Sequence, residues 1–428
     1  MKPNIIFVLI DALRARNLSL FGYEKEFDKN IKRIADESIF FTNFITSANA
    51  TYPSLTSLFT GKYPVNNGIV HNLPHTPSEE LEKLKKNKFW LPLYLKKLGY
   101  DTYFISLTGA WIRKGFDFVQ NEEKKDAYRK INDKKLVRKV LKLFPDWAYV
   151  LLKKIVKRDP KTDFPKPKET VDLAISKIKE AKKPYFMFVH FEDVHYPWAT
   201  TDTPKVESKK SKKEVLREIE TEVQRKYVSR RMFNTNTNSV EEVEGKYNKA
   251  LESVDKEVGR FYDFLKETGT LNDCVFVLFS DHGFSIAEHG IYLNHTGLYD
   301  ETLHVPLFMQ IPGIKPKEIN EIVQNVDIAP TIVDVLNDKR NDFDGKSFLN
   351  MLKTGKPIRK EAFSFDGSCG DRWSVRDKKK KIIFTKDKRC FSCKAGHGEE
   401  IEEYDLEKDP RELNNVYSGG YGMRKFEN

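Results

Sequence analysis

Side chains able to hold a cation or move a proton stand at the ends of several apolar runs in this sequence. Asp11 closes IIFVLID, and Asp281 with His282 closes CVFVLFSDH. His190 closes YFMFVH, Asp193 and His195 lie in the loop beyond it, and His295 follows in NHTGLYDE. The chain has only nine histidines, so this grouping is a concentration. Thr51 opens TYPSLTSLFTGKYP after the polar run SANA, with Leu55, Leu58 and Phe59 at helical spacing. That spacing predicts Thr51 as a helix N-cap with Pro53 in the first turn. A hydroxyl there faces unpaired backbone N–H groups and the positive end of the helix dipole, which suits an oxyanion.

Taken singly, each residue has a plain structural role: a cap, a helix-capping carboxylate, a satisfied histidine. Taken together, two carboxylates, an imidazole and a hydroxyl suit Mn²⁺, Mg²⁺ or Zn²⁺, and suit Ca²⁺ less well because of the imidazole. Such a cation would lower the hydroxyl's pKa and offset charge on a transferred group.

The elements that must position these groups read as a doubly wound α/β domain. PNIIFVLID, SIFFTNFIT, DTYFISLTG, PYFMFVHF, CVFVLFSD and VPLFMQIPG are strands; segments such as FWLPLYLKKLGY and VDIAPTIVDVL are helices between them. Open sheets of this kind place ligands beyond the carboxyl ends of their strands, so Asp11, His190 and Asp281 would share one rim. The expected organisation is a catalytic domain over 1–357 and a small antiparallel α+β subdomain over 358–428, built from WSVRD, KKIIFTK and IEEYDLEKD. Two insertions interrupt the first domain: a basic amphipathic stretch at 121–168, and a polar, mobile one at 204–245.

The totals restrict the function classes. Hydrophobic residues make up 39% and charged residues 32%, with no apolar window long enough for a membrane span. The net charge of +11 favours anionic partners without marking specific nucleic-acid recognition. No secretory leader is visible and four cysteines make no disulfide framework, so a cytosolic protein is expected. The 121–168 stretch, with Trp147 and Tyr149 among Lys and Arg, reads as a solvated helical pair or as a peripheral contact with a membrane or polyanion. Cys369, Cys390, Cys393 and His397 are spaced like a structural zinc site, with buried thiols or one disulfide as the alternatives.

These motifs in this order resemble the sulfatase family of the alkaline-phosphatase superfamily, nearly end to end. PNIIFVLIDALR is similar to the opening strand with its metal-binding Asp, TYPSLTSLFTGKYP to the nucleophile motif, and FSDHGFSIAEHG to the second metal motif. HTGLYDETLHVPL, VDIAPTIVDVL and EEYDLEKDPRELNNV resemble the later family segments. The resemblance implies Asp11, Thr51, Asp281 and His282 as ligands of one divalent metal ion (Mn, Zn, Mg or Ca, with Mn or Zn favoured). It implies Thr51 as the nucleophile, His195 and His295 as groups on the transferred oxygens or leaving group, Lys62 as support for the nucleophile's loop, and Arg14 as a substrate-binding residue.

Departures from the family pattern shift the expected chemistry. A sulfatase matures Cys or Ser to formylglycine, whose hydrate has one hydroxyl to attack and one to expel sulfate. Thr51 carries a β-methyl, so oxidation cannot give that aldehyde, and Leu55 stands where the maturation motif has Arg. Ala12 follows Asp11 where a second acid would make a calcium site. The favoured expectation is therefore a phosphate mono- or diesterase, or transferase, working through a covalent Thr51 intermediate on an anionic, lipid-linked or polymeric substrate. The alternatives are a sulfatase without formylglycine and a catalytically idle binder of an anionic polymer or membrane.

Overall fold

The computed structural model describes residues 2–120, 165–182, 184–198, 201–369 and 371–419. The basic stretch expected at 121–168 lies outside them as far as residue 164. Strands are numbered in chain order: β1 Asn4–Ile10, β2 Ile39–Phe41, β3 Phe44–Ile45, β4 Asp101–Ile105, β5 Phe118–Val119, β6 Tyr185–Phe191 and β7 Cys274–Phe279. Then follow β8 Leu307–Gln310, β9 Lys317–Ile319, β10 Val323–Gln324, β11 Ala362–Phe365, β12 Arg372–Arg376, β13 Lys380–Thr385 and β14 Ile401–Asp405.

Eight strands form the central sheet in the order β5-β4-β6-β1-β7-β8-β2-β9. All its pairings are parallel except those of β8, which runs against both β7 and β2. The continuous apolar runs of β1, β6 and β7 are buried along their whole length because helices cover both faces. The twofold alternation divides β1 between two cores: Ile6, Val8 and Ile10 pack into one, and Ile5, Phe7 and Leu9 into the other.

Helix Val240–Glu267 lays Tyr247, Leu251, Val254, Val258, Phe261 and Leu265 on the first core. On the other face, helix Thr51–Thr60 contributes Leu55, Leu58 and Phe59, and helix Ile328–Val335 contributes Ile328 and Ile332. Each such side chain contributes about 1.5–3 kcal/mol by burial. Among the described residues no helix is long and apolar enough to cross a membrane.

The segment 204–245, expected as a polar, mobile insertion, instead folds as helices. Lys212–Glu218 and Glu222–Thr235 precede the long helix starting at Val240. The Ser and Thr that suggested a linker are helix caps: Ser211 accepts from the Glu214 N–H, Thr221 from Gln224 and Ser239 from Glu242. Val228, Met232 and Val243 then bury fully in the first core.

The antiparallel strands β11 to β14 form a separate four-stranded sheet. Its core is shared with the main domain: Ala362, Ile383, Tyr404 and Leu406 pack with Ile45, Ile291, Leu298 and Leu303. The connection between Phe365 and Ser368 is tied to the chain just before Thr51. Phe365 donates its N–H to the Ser47 carbonyl at 3.0 Å, and the Gly367 N–H donates to Asn49 Oδ1 at 2.8 Å. Asn49 Nδ2 donates to Asp366 Oδ1 at 2.9 Å, and Asn72 donates its N–H to the Gly367 carbonyl at 2.9 Å.

Candidate active site

The carboxyl ends of β1, β6 and β7 bring Asp11, His190 and Asp281–His282 to one rim, as parallel neighbours must. The chain leaves β1 through Ala12, whose φ of +59° lies in the left-handed region that costs a non-glycine residue about 1–2 kcal/mol. That turn aims the Ala12 N–H at Asp281 Oδ1, 3.4 Å away. The His282 N–H donates to the same oxygen at 3.0 Å.

Helix Thr51–Thr60 enters this rim with its first residue. Ala50, not Thr51, is the N-cap, so the hydroxyl is not used on the helix's own backbone. Thr51 Oγ1 instead lies 3.1 Å from His282 Nε2. His282 Nδ1 lies 2.8 Å from the Gly283 carbonyl, so Nδ1 carries the proton and Nε2 presents a lone pair. Three residues into the helix, Ser54 Oγ donates to the Asp281 carbonyl at 2.8 Å, and Thr46 Oγ1 donates to that carbonyl at 2.7 Å. Asn325 Nδ2 reaches Ser54 Oγ at 3.0 Å. This buried network fixes the helix that Thr51 opens to the β7 end.

Asp11, Asp281 and His282 are buried, whereas Thr51, His195 and His295 are partly exposed above them. Asp11 Oδ1 and Asp281 Oδ2 are buried without a hydrogen-bond donor. Asp11 Oδ1 lies 3.5 Å from His282 Nε2, and Asp281 Oδ2 lies 3.7 Å from the same nitrogen. Two bare carboxylate oxygens, an imidazole lone pair and a hydroxyl converging in a buried site are the donor set of a divalent cation. Burial and the negative charge of Asp11 push Asp281 up. Burial also pushes Asp11 up, but His195, His190 and His282 outweigh it and hold Asp11 well below the usual carboxylate range.

His190 Nε2 lies 3.2 Å from Asp11 Oδ2, and its Nδ1 lies 2.8 Å from Ser106 Oγ. His190, legible in the sequence as a strand-end group, thus stands behind the Asp11 carboxylate and orients it as a second layer of the site. Burial lowers His190's pKa, yet its hydrogen bond and charge contact with Asp11 raise it overall.

His195 joins Asp11 and His282 with one ligand atom from each mutually within 4.8 Å. His195 Nδ1 donates to the Tyr196 carbonyl at 2.7 Å, leaving Nε2 for the site. The His295 ring centre lies 4.7 Å from that of His282 and 6.1 Å from that of His195. His295 Nδ1 is 3.1 Å from Ser368 Oγ, so the tail segment touches the site directly. Burial, then the neighbouring His282, His195 and Arg231, press His295 well below the ordinary imidazole range. Arg231, from the segment read as a mobile insertion, stacks on the Tyr196 ring at 3.9 Å and on Tyr227 at 4.9 Å.

Two expected site residues are placed elsewhere. Lys62 lies beyond the far end of helix Thr51–Thr60, and ten helical residues span about 15 Å. Its carbonyl accepts from Asn67 Nδ2 at 3.0 Å, in the turn after the helix. Arg14 is buried, and its Nη2 bonds Glu288 Oε1 at 2.6 Å. Its N–H donates to the Tyr247 hydroxyl at 3.0 Å, fixing the chain after Asp11. Of the expected zinc residues, Cys390, Cys393 and His397 bring one ligand atom each within 4.8 Å of one another, and the Cys369 backbone pairs with that of Cys390 in an antiparallel β-bridge.

The family profile named Sulfatase matches residues 3–338, and the profile of the N-sulphoglucosamine sulphohydrolase C-terminal region matches 287–424. The chain is 25% identical to an ulvan-active sulfatase of Formosa agariphila, over 97% of this chain and 76% of that protein. It is 25% identical to an N-acetylglucosamine-6-O-sulfatase of Bacteroides thetaiotaomicron, over 97% and 83% of the two chains. Among solved structures, the phosphonate monoester hydrolase of Agrobacterium radiobacter superposes with a TM-score of 0.64 at 18% identity, covering 97% of this chain and 91% of that one. With a rim of carboxylates, imidazoles and a helix-borne hydroxyl set where that profile's sheet ends, this chain belongs to the sulfatase family of hydrolases.

Proposed function

We propose that the protein is a metal-dependent hydrolase or transferase of anionic phosphoric esters, with Thr51 as its nucleophile. The observation that carries this reading is Thr51 Oγ1, held at the head of its helix and 3.1 Å from His282 Nε2, beside the two bare carboxylate oxygens. Asp11, Asp281, His282 and Thr51 would hold one divalent ion, and the single imidazole and absence of a second acid after Asp11 favour Mn²⁺ or Zn²⁺ over Ca²⁺. The ion supplies Lewis acidity that makes the hydroxyl nucleophilic at neutral pH and offsets charge on the transferred group.

Thr51 Oγ attacks phosphorus in line as its proton passes to water, and the bond to the leaving alcohol oxygen breaks as that oxygen takes up a proton from water. Water or an acceptor alcohol then attacks the phospho-threonine, the phosphorus–Oγ bond breaks, and the Thr51 hydroxyl is restored. A neutral His295 can donate one N–H to the leaving or transferred oxygen, and Arg231 adds positive charge near it. The names of the relatives, with a solved 20%-identical structure described as a complex with D-glucosamine-2-N,6-O-disulfate, support an anionic ester on a sugar.

Sulfate-ester hydrolysis is the second reading, favoured by the sulfatases among those relatives. Against it stands Thr51: a threonyl sulfate has no second hydroxyl to expel the sulfate. A panel of nitrophenyl phosphate, phosphodiester, phosphonate and sulfate esters, assayed with Mn²⁺ or Zn²⁺ on wild type and Thr51→Ala, separates the two. Phosphoester turnover abolished by Thr51→Ala is expected. Faster sulfate turnover would overturn the phosphorus preference, and no turnover with any metal would favour an idle binding protein.

A further inference from the structure

Cys369, Cys390, Cys393 and His397 are all buried, in a cluster of their own against Tyr227. Cys393 Sγ lies 2.9 Å from His397 Nε2, and ligand atoms of Cys390, Cys393 and His397 are mutually within 4.8 Å. Tetrahedral zinc with bonds of about 2.1–2.3 Å separates its ligand atoms by roughly 3.5–3.8 Å, a spacing that falls between the 2.9 Å and 4.8 Å found for Cys390, Cys393 and His397. Cys369 enters from a different segment, its backbone in an antiparallel bridge with that of Cys390. Cys369, Cys390 and Cys393 form no disulfide among the described residues, so their sulfurs stand as thiols.

A second, independent observation is the set of donors around one sulfur. Cys390 Sγ receives the Cys393 N–H at 3.4 Å and Asn294 Nδ2 at 3.5 Å, with Thr296 Oγ1 at 3.3 Å. Backbone and side-chain donors converging on a buried sulfur favour its thiolate, and a buried thiolate requires a cation. The turn that returns the Cys393 N–H to Cys390 is closed by Cys390 N–H donating to the Ala395 carbonyl at 2.9 Å, with Lys394 at a φ of +62°.

We infer that Cys369, Cys390, Cys393 and His397 form a structural zinc site, separate from the ester-cleaving centre. Zinc there joins three segments: the tail loop, the Asn294–Thr296 turn that carries His295, and helix Glu222–Thr235 through Tyr227, whose hydroxyl donates to the Leu293 carbonyl at 3.5 Å. The ligands must be deprotonated thiolates, so loading releases protons and binding free energy adds to folding.

The test uses the full chain, purified under reducing conditions, carrying Asp11→Asn and Asp281→Asn to remove the other metal site. Elemental analysis is expected to give one zinc per chain. Titration of wild type with a mercurial should release one zinc equivalent as thiols are consumed, a readout independent of how any cysteine variant folds. Co²⁺-loaded protein should show thiolate-to-metal charge transfer and tetrahedral visible bands, and Cys393→Ser or His397→Ala should lose or shift them. A chain with no zinc and four freely titrating thiols, or non-reduced peptides joined by a Cys369–Cys390 disulfide, would overturn the assignment.

Discussion

Thr51 Oγ1 and His282 Nε2 lie 3.1 Å apart, although one opens a helix and the other follows β7, 231 residues further along the chain. The histidine's other nitrogen is committed to the Gly283 carbonyl, so the hydroxyl meets a lone pair and never a competing N–H. Thr51→Ala is expected to lower phosphoester turnover by about 1,000-fold or more, as loss of a covalent nucleophile does. Thr51→Ser keeps the oxygen and should retain turnover within about tenfold. Trapping a phosphorylated peptide containing residue 51 by acid quench checks the covalent step, and its absence in an active enzyme would sink it.

His190 touches Asp11 from behind and should matter without touching substrate. His190→Ala is expected to weaken divalent-metal affinity or activity by about 10–100-fold. Metal titration monitored by activity and by calorimetry reads this. Restoration of activity at high Mn²⁺ is the expected signature, whereas an unchanged metal affinity would rule the role out.

The Arg14–Glu288 pair should set part of the acid stability. Burial alone would raise Glu288, but Arg14 and Arg16 hold it down at about 2, below its ordinary 4.5. A carboxyl depressed by folding stabilises the native state above its unfolded pKa, and that contribution is lost as pH falls from about 4.5 toward 2. The shift corresponds to about 3 kcal/mol. Glu288→Gln should therefore lose about that much stability at pH 7, with the gap to wild type closing at low pH in denaturant titrations. A gap that stays constant with pH would contradict the ion-pair account.

Gly283 follows the two metal-ligand candidates, and a Cβ there would sit 2.1 Å from the Glu301 carbonyl oxygen and 3.0 Å from its carbon. That neighbour is backbone already bonded to the Phe284 N–H at 2.8 Å, so it cannot give way. Gly283→Ala is expected to cost about 3 kcal/mol or more in stability. Thermal melts with and without divalent metal would show it, and a wild-type melting temperature would refute the close approach.

Much of this site is legible in one dimension because parallel strands buried on both faces are uninterrupted apolar runs, and their last residue faces the ligand rim. Asp11, His190 and Asp281 can be read that way. The helix at Thr51 is equally visible, though the register of its cap differs by one residue, and that one residue frees the hydroxyl. Lys62 shows the opposite case: a motif contiguous in sequence is spread along the helix's own rise. Ser54, Thr46 and Arg231 escape notice because hydroxyls and a surface-type arginine gain their roles only from partners hundreds of residues away or from rings stacked on either side. The 204–245 helices are hidden by sparse apolar residues, whose burial depends on a core that the segment itself does not announce.

The Phe365–Gly367 connection has a consequence for how such a chain could be recombined. Its amides, carbonyl and Asp366 carboxylate satisfy the backbone and side chain of Asn49 and its neighbours, two residues before Thr51. A Cβ on Gly367 would come within 2.9 Å of Ala50 Cβ and 3.1 Å of Pro53 Cγ. The four-stranded tail is therefore not an interchangeable module. A chimera that grafts a relative's tail onto this catalytic sheet must inherit both halves of that seam as one unit, or Thr51 will point elsewhere.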